Sequence, residues 1–282
     1  MLLERDGSPP QFSETASAAD VGPLVARALD TGVASVVGVG GDGTMRDIAA
    51  VIAGTHVPLG IIPAGTGNQV AAVLGIPRSP LAAVDAFEGA LPRSIDLGQV
   101  SVELEDGSVF ESTFIIGCGA GFDAELMATT SAQLKRRLGV AAYFVQGARL
   151  ASRLSATPCE VTIDDEPIST LVTAVLIGNM GELVPGRLGL RLQLDPSDGL
   201  LDLIVVGASS PLGGVRALAD QLRRTELGGG SGDASIRRRG RRVRIEPQLP
   251  MILEVDGDHV GSGSLEARVV PGALRVLAPP RD

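Results

Sequence analysis

VGVGGDGTMRD, residues 37–47, decides how this chain is read. A β-branched run over 34–39 leads into it, and Met45, Ile48, Ala49 and Ile52 follow at i, i+3, i+4 and i+7. That spacing puts four apolar side chains on one helical face. The stretch is therefore a buried strand, a glycine turn and a helix. It satisfies G-x-G-x-x-G through Gly38, Gly40 and Gly43, the pattern by which a Rossmann turn brings bare backbone N–H groups to a pyrophosphate. In such a turn an acid is due roughly 20 residues further on to bind a ribose. Here the residue 20 beyond Gly43 is Pro63, inside an apolar run. Asp42 also sits within the turn, where a carboxylate beside a pyrophosphate costs free energy unless a cation lies between them. A second reading uses that acid. Gly40, Gly41 and Gly43 let the backbone turn sharply, and Thr44 stands at the start of a helix whose partial positive charge favours phosphate. Asp42 can then hold Mg2+ or accept a proton from an attacking hydroxyl, both tasks in phosphoryl transfer. A third reading is structural, with Asp42 only capping the helix.

The neighbouring segments repeat the unit. Val21, Leu24, Val25 and Ala28 have helical spacing. A second buried strand begins at Val57 and ends in PAGTGN, residues 63–68, followed by a short helical piece to Leu74 and Gly75. Another helix is predicted from Pro80 to Ala90, with proline early, where its missing N–H does no harm. Strand, turn and helix in series imply a parallel sheet with helices packed on it. Both turns then open at the carboxyl edge of that sheet, where ligands bind. Two glycine turns, each carrying a threonine (Thr44 and Thr66), suit a nucleoside triphosphate lying across them. Near Ile95 the pattern changes to β signals, with an Asp-Gly turn at 106–107. Strands are predicted in CEVTIDDEPI (159–168), TLVTAVLIGN (170–179), GLLDLIVVG (199–207), RRVRIEP (241–247), MILEVDGD (251–258), LEARVV (265–270) and ALRVLAP (273–279). Asp164 and Asp165 read as a hairpin turn. Helices are predicted over 123–154 and 212–227, with a glycine-rich loop at 228–233. The expected organisation is an α/β domain with a parallel sheet over 1–93 and a mostly β sandwich domain over 94–282.

Composition narrows the function. Of 282 residues 44% are apolar, yet there are six Phe, one Tyr and no Trp, so the core rests on Val, Leu, Ile and Ala. A net charge of −9 argues against a nucleic-acid partner. The absence of any G-K-[ST] excludes a Walker-type P-loop. Cys118 and Cys159 lie far apart in sequence and are expected to be buried thiols, not a disulfide or zinc site. The N-terminus lacks the pattern of a signal peptide, and no run of ~18 apolar residues is present; a cytoplasmic location is expected. Arg237, Arg238, Arg239, Arg241, Arg242 and Arg244 form a dense basic run. It can attract anionic lipid headgroups, at ~1 kcal/mol per Arg near the surface, or serve as a solvated strand edge.

Taken in order, the motifs resemble a family. GGDGT at 40–44 followed by P-x-GTGN is similar to the catalytic domain of diacylglycerol, sphingosine, ceramide and bacterial lipid kinases. IDLG (95–98), GFDAEL (121–126), KRRLGVAAY (135–143), GN (178–179), DGLLDL (198–203) and EVDGD (254–258) continue the resemblance over nearly the whole chain. NAD kinases share GGDGT but not P-x-GTGN and rank second. The resemblance implies a two-domain kinase that uses ATP and Mg2+ to phosphorylate the hydroxyl of a diacylglycerol-like lipid. It implies nucleotide contacts at Thr15, Gly40, Gly41, Asp42, Gly43, Thr44, Asp47, Gly65, Thr66 and Asn68. It places a structural or regulatory Mg2+ site at Asp198, with backbone at Asp195 and Leu200, and a proton acceptor at Asp258, with Asp42 the competing candidate. It also implies a lipid substrate; peripheral contact of the basic run with an anionic membrane at its inner surface and a homodimeric assembly are further expectations. The chain departs from the family at several points. The family's opening strand and its N-P-x-x-G turn are expected to be missing. Gln69 replaces the Asp after GTGN, Ile116 replaces an Asn, GELVPGRLG (181–189) replaces a glycine cluster, and Asp258 replaces a Glu. Two alternatives follow: an NAD kinase-like small-molecule kinase, and a catalytically inactive nucleotide-binding homologue.

Overall fold

Apolar residues at helical and strand spacing alternate through the first hundred positions, and the backbone follows them. The computed structural model describes residues 11–121, 156–181, 194–207 and 235–280. It places α1 at Val21–Asp30, β1 at Val36–Gly40, α2 at Asp42–Ile52, β2 at Leu59–Pro63, α3 at Gln69–Val73 and α4 at Pro80–Asp85. Strands β1 and β2 pair in parallel, from Val36 opposite Leu59 to Gly40 opposite Pro63. Helix α2 buries Met45, Ile48, Ala49 and Ile52. It packs on the face of β1 that carries Gly38, where an added Cβ would lie 2.7 Å from Ile48 Cδ1. The predicted helix over 80–90 stops at Asp85 and tightens into a 3-10 turn, Ala86–Gly89, a common way for a last turn to close. That turn lays Phe87 over Gly60 and Val37. Val39, one step beyond, is 63% exposed, so β1 is not buried along its whole length as its β-branched run predicts.

By contact density the chain forms two units, residues 1–97 with 271–282, and residues 98–270. Strands β3 (Leu91–Leu104) and β13 (Asp258–Ala278) contribute residues to both. LEARVV and ALRVLAP, predicted as separate strands, thus belong to one. In the first unit, Val276 of β13 pairs in parallel with Leu59. Ala273 accepts a hydrogen bond from the Gly54 N–H at 2.8 Å, and the buried carboxylate of Asp96 accepts from the Gly272 N–H at 2.7 Å. The acid of the IDLG motif is therefore a backbone pin.

The second unit is built from antiparallel strands: β4 (Val109–Phe114), β5 (Gly117–Gly121), β6 (Thr157–Ile163), β7 (Glu166–Val172), β8 (Ala174–Gly178), β9 (Leu201–Val206), β10 (Ser235–Gly240), β11 (Arg242–Pro247) and β12 (Met251–Val255), with parts of β3 and β13. Nine of these follow the order β10-β9-β8-β5-β12-β13-β11-β6-β7. Strand β10 also touches β6, and β11 touches β9, although they stand far apart in that order. The path therefore curls over one core, shared by Val161 and Ile163 of β6, Leu201, Leu203 and Val205 of β9, and Leu253 and Val255 of β12. This is the expected sandwich-like β domain. Asp164 and Asp165 make the β6–β7 turn, both with positive φ, as a tight hairpin requires. The Asp164 carboxylate also accepts from the N–H groups of Arg241 and Arg242 at 2.8 and 2.9 Å. Both cysteines are free and buried. Burial pushes the Cys118 thiol well up, and pushes Cys159 up to about 11, so neither is a nucleophile near neutral pH. The predicted helices at 123–154 and 212–227 and the loop at 228–233 lie outside the described residues.

Gly98 faces Phe114 across β3 and β4, and the ring covers it so closely that any Cβ would overlap the ring. Phe114 is fully buried and has little room to move. Gly98→Ala is expected to cost about 1–3 kcal/mol, the range of an overpacked core, read as a lowered urea midpoint. An unchanged midpoint would refute this packing.

Candidate functional site

The parallel register sets the geometry of the two glycine turns. Because Gly40 lies level with Pro63, the turns leaving β1 and β2 start side by side, and the Ala64 N–H donates to the Gly40 carbonyl at 2.9 Å. They touch at Gly41 and Gly65. A Cβ on Gly65 would lie 2.5 Å from Gly41 Cα, and one on Gly41 would lie 3.2 Å from Gly65 Cα. Only glycine permits that approach. Thr44 folds back over Gly40, its Oγ1 2.5 Å from where a Cβ would stand. Gly43, in the first turn of α2, has open space beside it, with nothing within 4 Å of an added Cβ. The first N–H groups of a helix have no partner within it, and those of α2 start at this open face.

Asp42 is the first residue of α2, yet its carboxylate does not cap that helix. Oδ1 accepts from the Val70 N–H at 3.0 Å, in the first turn of α3, and Oδ2 lies 3.0 Å from where a Cβ of Gly67 would be. The acid ties the second turn to the first. Asn68, at φ 50, closes the second turn on itself: its Oδ1 accepts from the Gly65 N–H at 2.9 Å and its Nδ2 donates to the Gly65 carbonyl at 2.8 Å. Thr66 is exposed at the tip of that turn. Asp47 lies one helical turn further along α2, paired with Arg46 at 3.2 Å. The structure thus gathers Gly40, Gly41, Asp42, Gly43, Thr44, Gly65 and Asn68. Thr15 is exposed ahead of α1, and no described contact ties it to either turn.

In the second unit, Asp256 and Gly257 form the β12–β13 turn with φ of 49° and 84°. The Asp256 carboxylate accepts three backbone N–H groups: Ile115 at 3.0 Å, Ile116 at 2.9 Å and Gly117 at 3.0 Å. Asp258 opens β13, paired in register with Val255, and is exposed. Asn179 of the GN motif is buried and donates from Nδ2 to the Ile115 carbonyl at 2.8 Å. The sequence reading named Asp258 and passed over Asp256; an acid before glycine in a hairpin turn was the available signal. The expected metal site lies in the turn that leads into β9. Asp198 Oδ1 accepts from the Leu200 N–H at 3.0 Å, and its Oδ2 pairs with Arg239. Asp195 Oδ1 accepts from the Ser197 N–H at 3.0 Å and the Ser197 hydroxyl at 2.6 Å. Among the described residues no three His, Cys, Asp or Glu side chains gather to hold an ion.

The basic run is largely balanced within its own unit. Arg237 and Arg239 pair with Asp202, Arg242 with Glu266 at 3.0 Å, and Arg244 with Glu246 at 2.8 Å. Arg238 and Arg241 are exposed. No helix among the described residues is long and apolar enough to cross a membrane.

Residues 1–100 match the diacylglycerol kinase catalytic domain, and residues 117–278 match the YegS C-terminal NAD kinase beta sandwich-like domain. A Pseudomonas putida protein named probable lipid kinase YegS-like is 33% identical over 94% of this chain and 84% of its own length. The chain belongs to the YegS-like lipid kinase family. An uncharacterized Synechocystis protein is 26% identical over 86% of this chain, which spans 54% of that relative's length. The crystal structure of a diacylglycerol kinase from Bacillus anthracis shares the fold, with a TM-score of 0.68 at 18% identity over 94% of this chain and 84% of that one. The family is one of kinases, that is, phosphotransferases.

The clasp made by Asp42 is testable apart from activity. Asp42→Ala leaves the Val70 N–H without its acceptor and should cost about 1–3 kcal/mol, whereas Asp42→Asn keeps an oxygen there and should cost under ~1 kcal/mol. Asp256→Ala, which strips three N–H groups of a charged acceptor, should cost about 3 kcal/mol or more. Urea unfolding ranks the three variants; equal losses for Asp42→Ala and Asp42→Asn would remove the clasp.

Proposed function

We propose that the chain is an ATP-dependent lipid kinase that transfers the γ-phosphoryl group to the hydroxyl of a diacylglycerol-like lipid. The observation that carries this reading is the Gly41–Gly65 contact. Two strand-to-helix turns abut at the carboxyl ends of a parallel pair, with bare backbone and the open first turn of α2 beside them. Such a surface takes polyphosphate through N–H groups and the positive end of the helix. Gly40, Gly41, Gly43, Gly65 and Thr66 would line the phosphates, with Thr44 and Asn68 holding the turns in shape. Asp47 and Thr15 would complete the nucleotide contacts.

Asp42 also offers Oδ2, a hard oxygen donor of the kind Mg2+ takes, so at this turn the residues fit the ion. When bound with the nucleotide, Mg2+ supplies charge neutralisation on the phosphate oxygens. The chain's own part is to orient the phosphates and to take the proton that the lipid hydroxyl releases as its oxygen attacks. Asp258 would accept that proton. Its exposed place at the head of β13 leaves the carboxylate able to reach a substrate, although it is one methylene shorter than the family's Glu.

Purified protein incubated with γ-labelled ATP should label a lipid alcohol such as diacylglycerol in detergent micelles, and should leave NAD unlabelled. Asp42→Asn and Asp258→Asn should each lower turnover ~10²–10⁴-fold, the range for a lost acid–base group, with the urea midpoint largely kept. Label entering NAD instead would establish an NAD kinase-like enzyme. ATP binding without any labelled acceptor would establish an inactive homologue.

A further inference from the structure

We propose that Asp256 is a positioning residue for Asp258: with Glu254 and Asn179 it fixes the turn from which that carboxylate would meet the lipid hydroxyl. The inference rests on the reading of Asp258 as the proton acceptor. Asp256 and Gly257 are the two central residues of the β12–β13 turn, and both have positive φ, as the twist of a two-residue hairpin requires. Val255 and Asp258 face each other across it in register, so the placement of Asp258 follows from the placement of the turn. A β-bulge between Leu253 and Glu254 lies just before it, a device that re-aims neighbouring side chains.

The turn is held from several sides. Asp256 Oδ1 accepts from the N–H groups of Ile116 and Gly117, and Oδ2 accepts from that of Ile115. The Asp256 N–H donates back to the Gly117 carbonyl at 2.8 Å. Glu254 Oε2, on a buried side chain, accepts from the Gly257 N–H at 2.6 Å. Bonds to an ionised acceptor are roughly twice as strong as neutral ones. Both oxygens of Asp256 are thus turned to backbone, whereas Asp258 is exposed. The first acid holds and the second is placed to react. The segment that Asp256 grips is gripped in turn by the GN motif. Asn179 Nδ2 donates to the Ile115 carbonyl at 2.8 Å, and the N–H groups of Asn179 and Met180 donate to the Ile116 carbonyl at 2.8 and 3.1 Å. These bonds at Ile116 use its backbone, so the replacement of the family's Asn leaves the relay from Asn179 to Asp258 standing. A displacement near 1 Å at a reacting group can cost ~10²-fold in rate, and the short side chain of Asp258 has little reach with which to absorb one.

Steady-state kinetics with γ-labelled ATP and diacylglycerol micelles, alongside urea unfolding, test this. Asp256→Asn keeps one oxygen for the turn but sets an amide NH2 where the other accepted, so the turn shifts without being stripped. It should lower kcat ~10–10²-fold and leave KM for ATP unchanged. Asn179→Ala should act in the same direction and less. In an Asp258→Asn background neither change should lower kcat further, because a misplaced acceptor and an absent one fail at the same step. A purely structural role would instead give the same fractional loss in both backgrounds. That result, or an Asp256→Asn protein with wild-type kcat, would overturn the proposal and leave Asp258 as the acceptor. Wild-type turnover by Asp258→Asn, or no lipid turnover by the wild type, would remove the acceptor reading and the proposal with it. If Asp256→Asn does not fold, Asn179→Ala with and without Asp258→Asn decides.

Discussion

The hydrogen bond from the Val70 N–H to Asp42 holds the first unit's working edge together. Two helices, α2 and α3, begin within reach of one carboxylate, and each brings the partial positive charge of its N-terminus. Asp42 stands in the first turn of α2 and lends its carboxylate to the first turn of α3. That bond gives an acid a structural task inside the glycine turn before any ligand arrives. The same placement leaves Oδ2 for a cation, so the structural and chemical readings of Asp42 are compatible.

The second unit uses carboxylates in a related way. Asp256 gathers three N–H groups at the start of β5, and Asp164 gathers two at the start of β11. Each sits in a hairpin turn at positive φ and bonds backbone from a distant part of the chain. A protein poor in aromatic rings has fewer large side chains to lock strands against one another, and charge-assisted bonds to backbone supply some of that order. The arginine run belongs to the same economy of charge. Four of its six members answer acids, three on a neighbouring strand and Arg244 on its own, so the attraction it can exert on an anionic surface is nearer that of Arg238 and Arg241 than of six free cations.

Much of this was legible in the residues. The period of Met45, Ile48, Ala49 and Ile52 identified α2 and its buried face, and the glycine turns marked the ends of β1 and β2. The order of GGDGT, GTGN, IDLG, GN and EVDGD pointed to the family. Other features were not legible. Val39 looks buried by composition but is exposed, whereas Phe87 of the 3-10 turn lies beside Gly60, the partner of Val37. The pairing of Arg239 with Asp198 spans 41 residues, and a basic run alone does not reveal which strand lies beside it.

Local periodicity and turn chemistry thus determined where the strands, helices and glycine turns lie, because those depend on residues within a few positions of each other. They also left acids and glycines as the candidates for the chemistry, since the chain has two histidines and no P-loop lysine. Only the tertiary structure decided what each acid does. A carboxylate takes whichever donors the fold brings within about 3 Å, and those donors came from 28 residues away for Asp42 and from about 140 for Asp256.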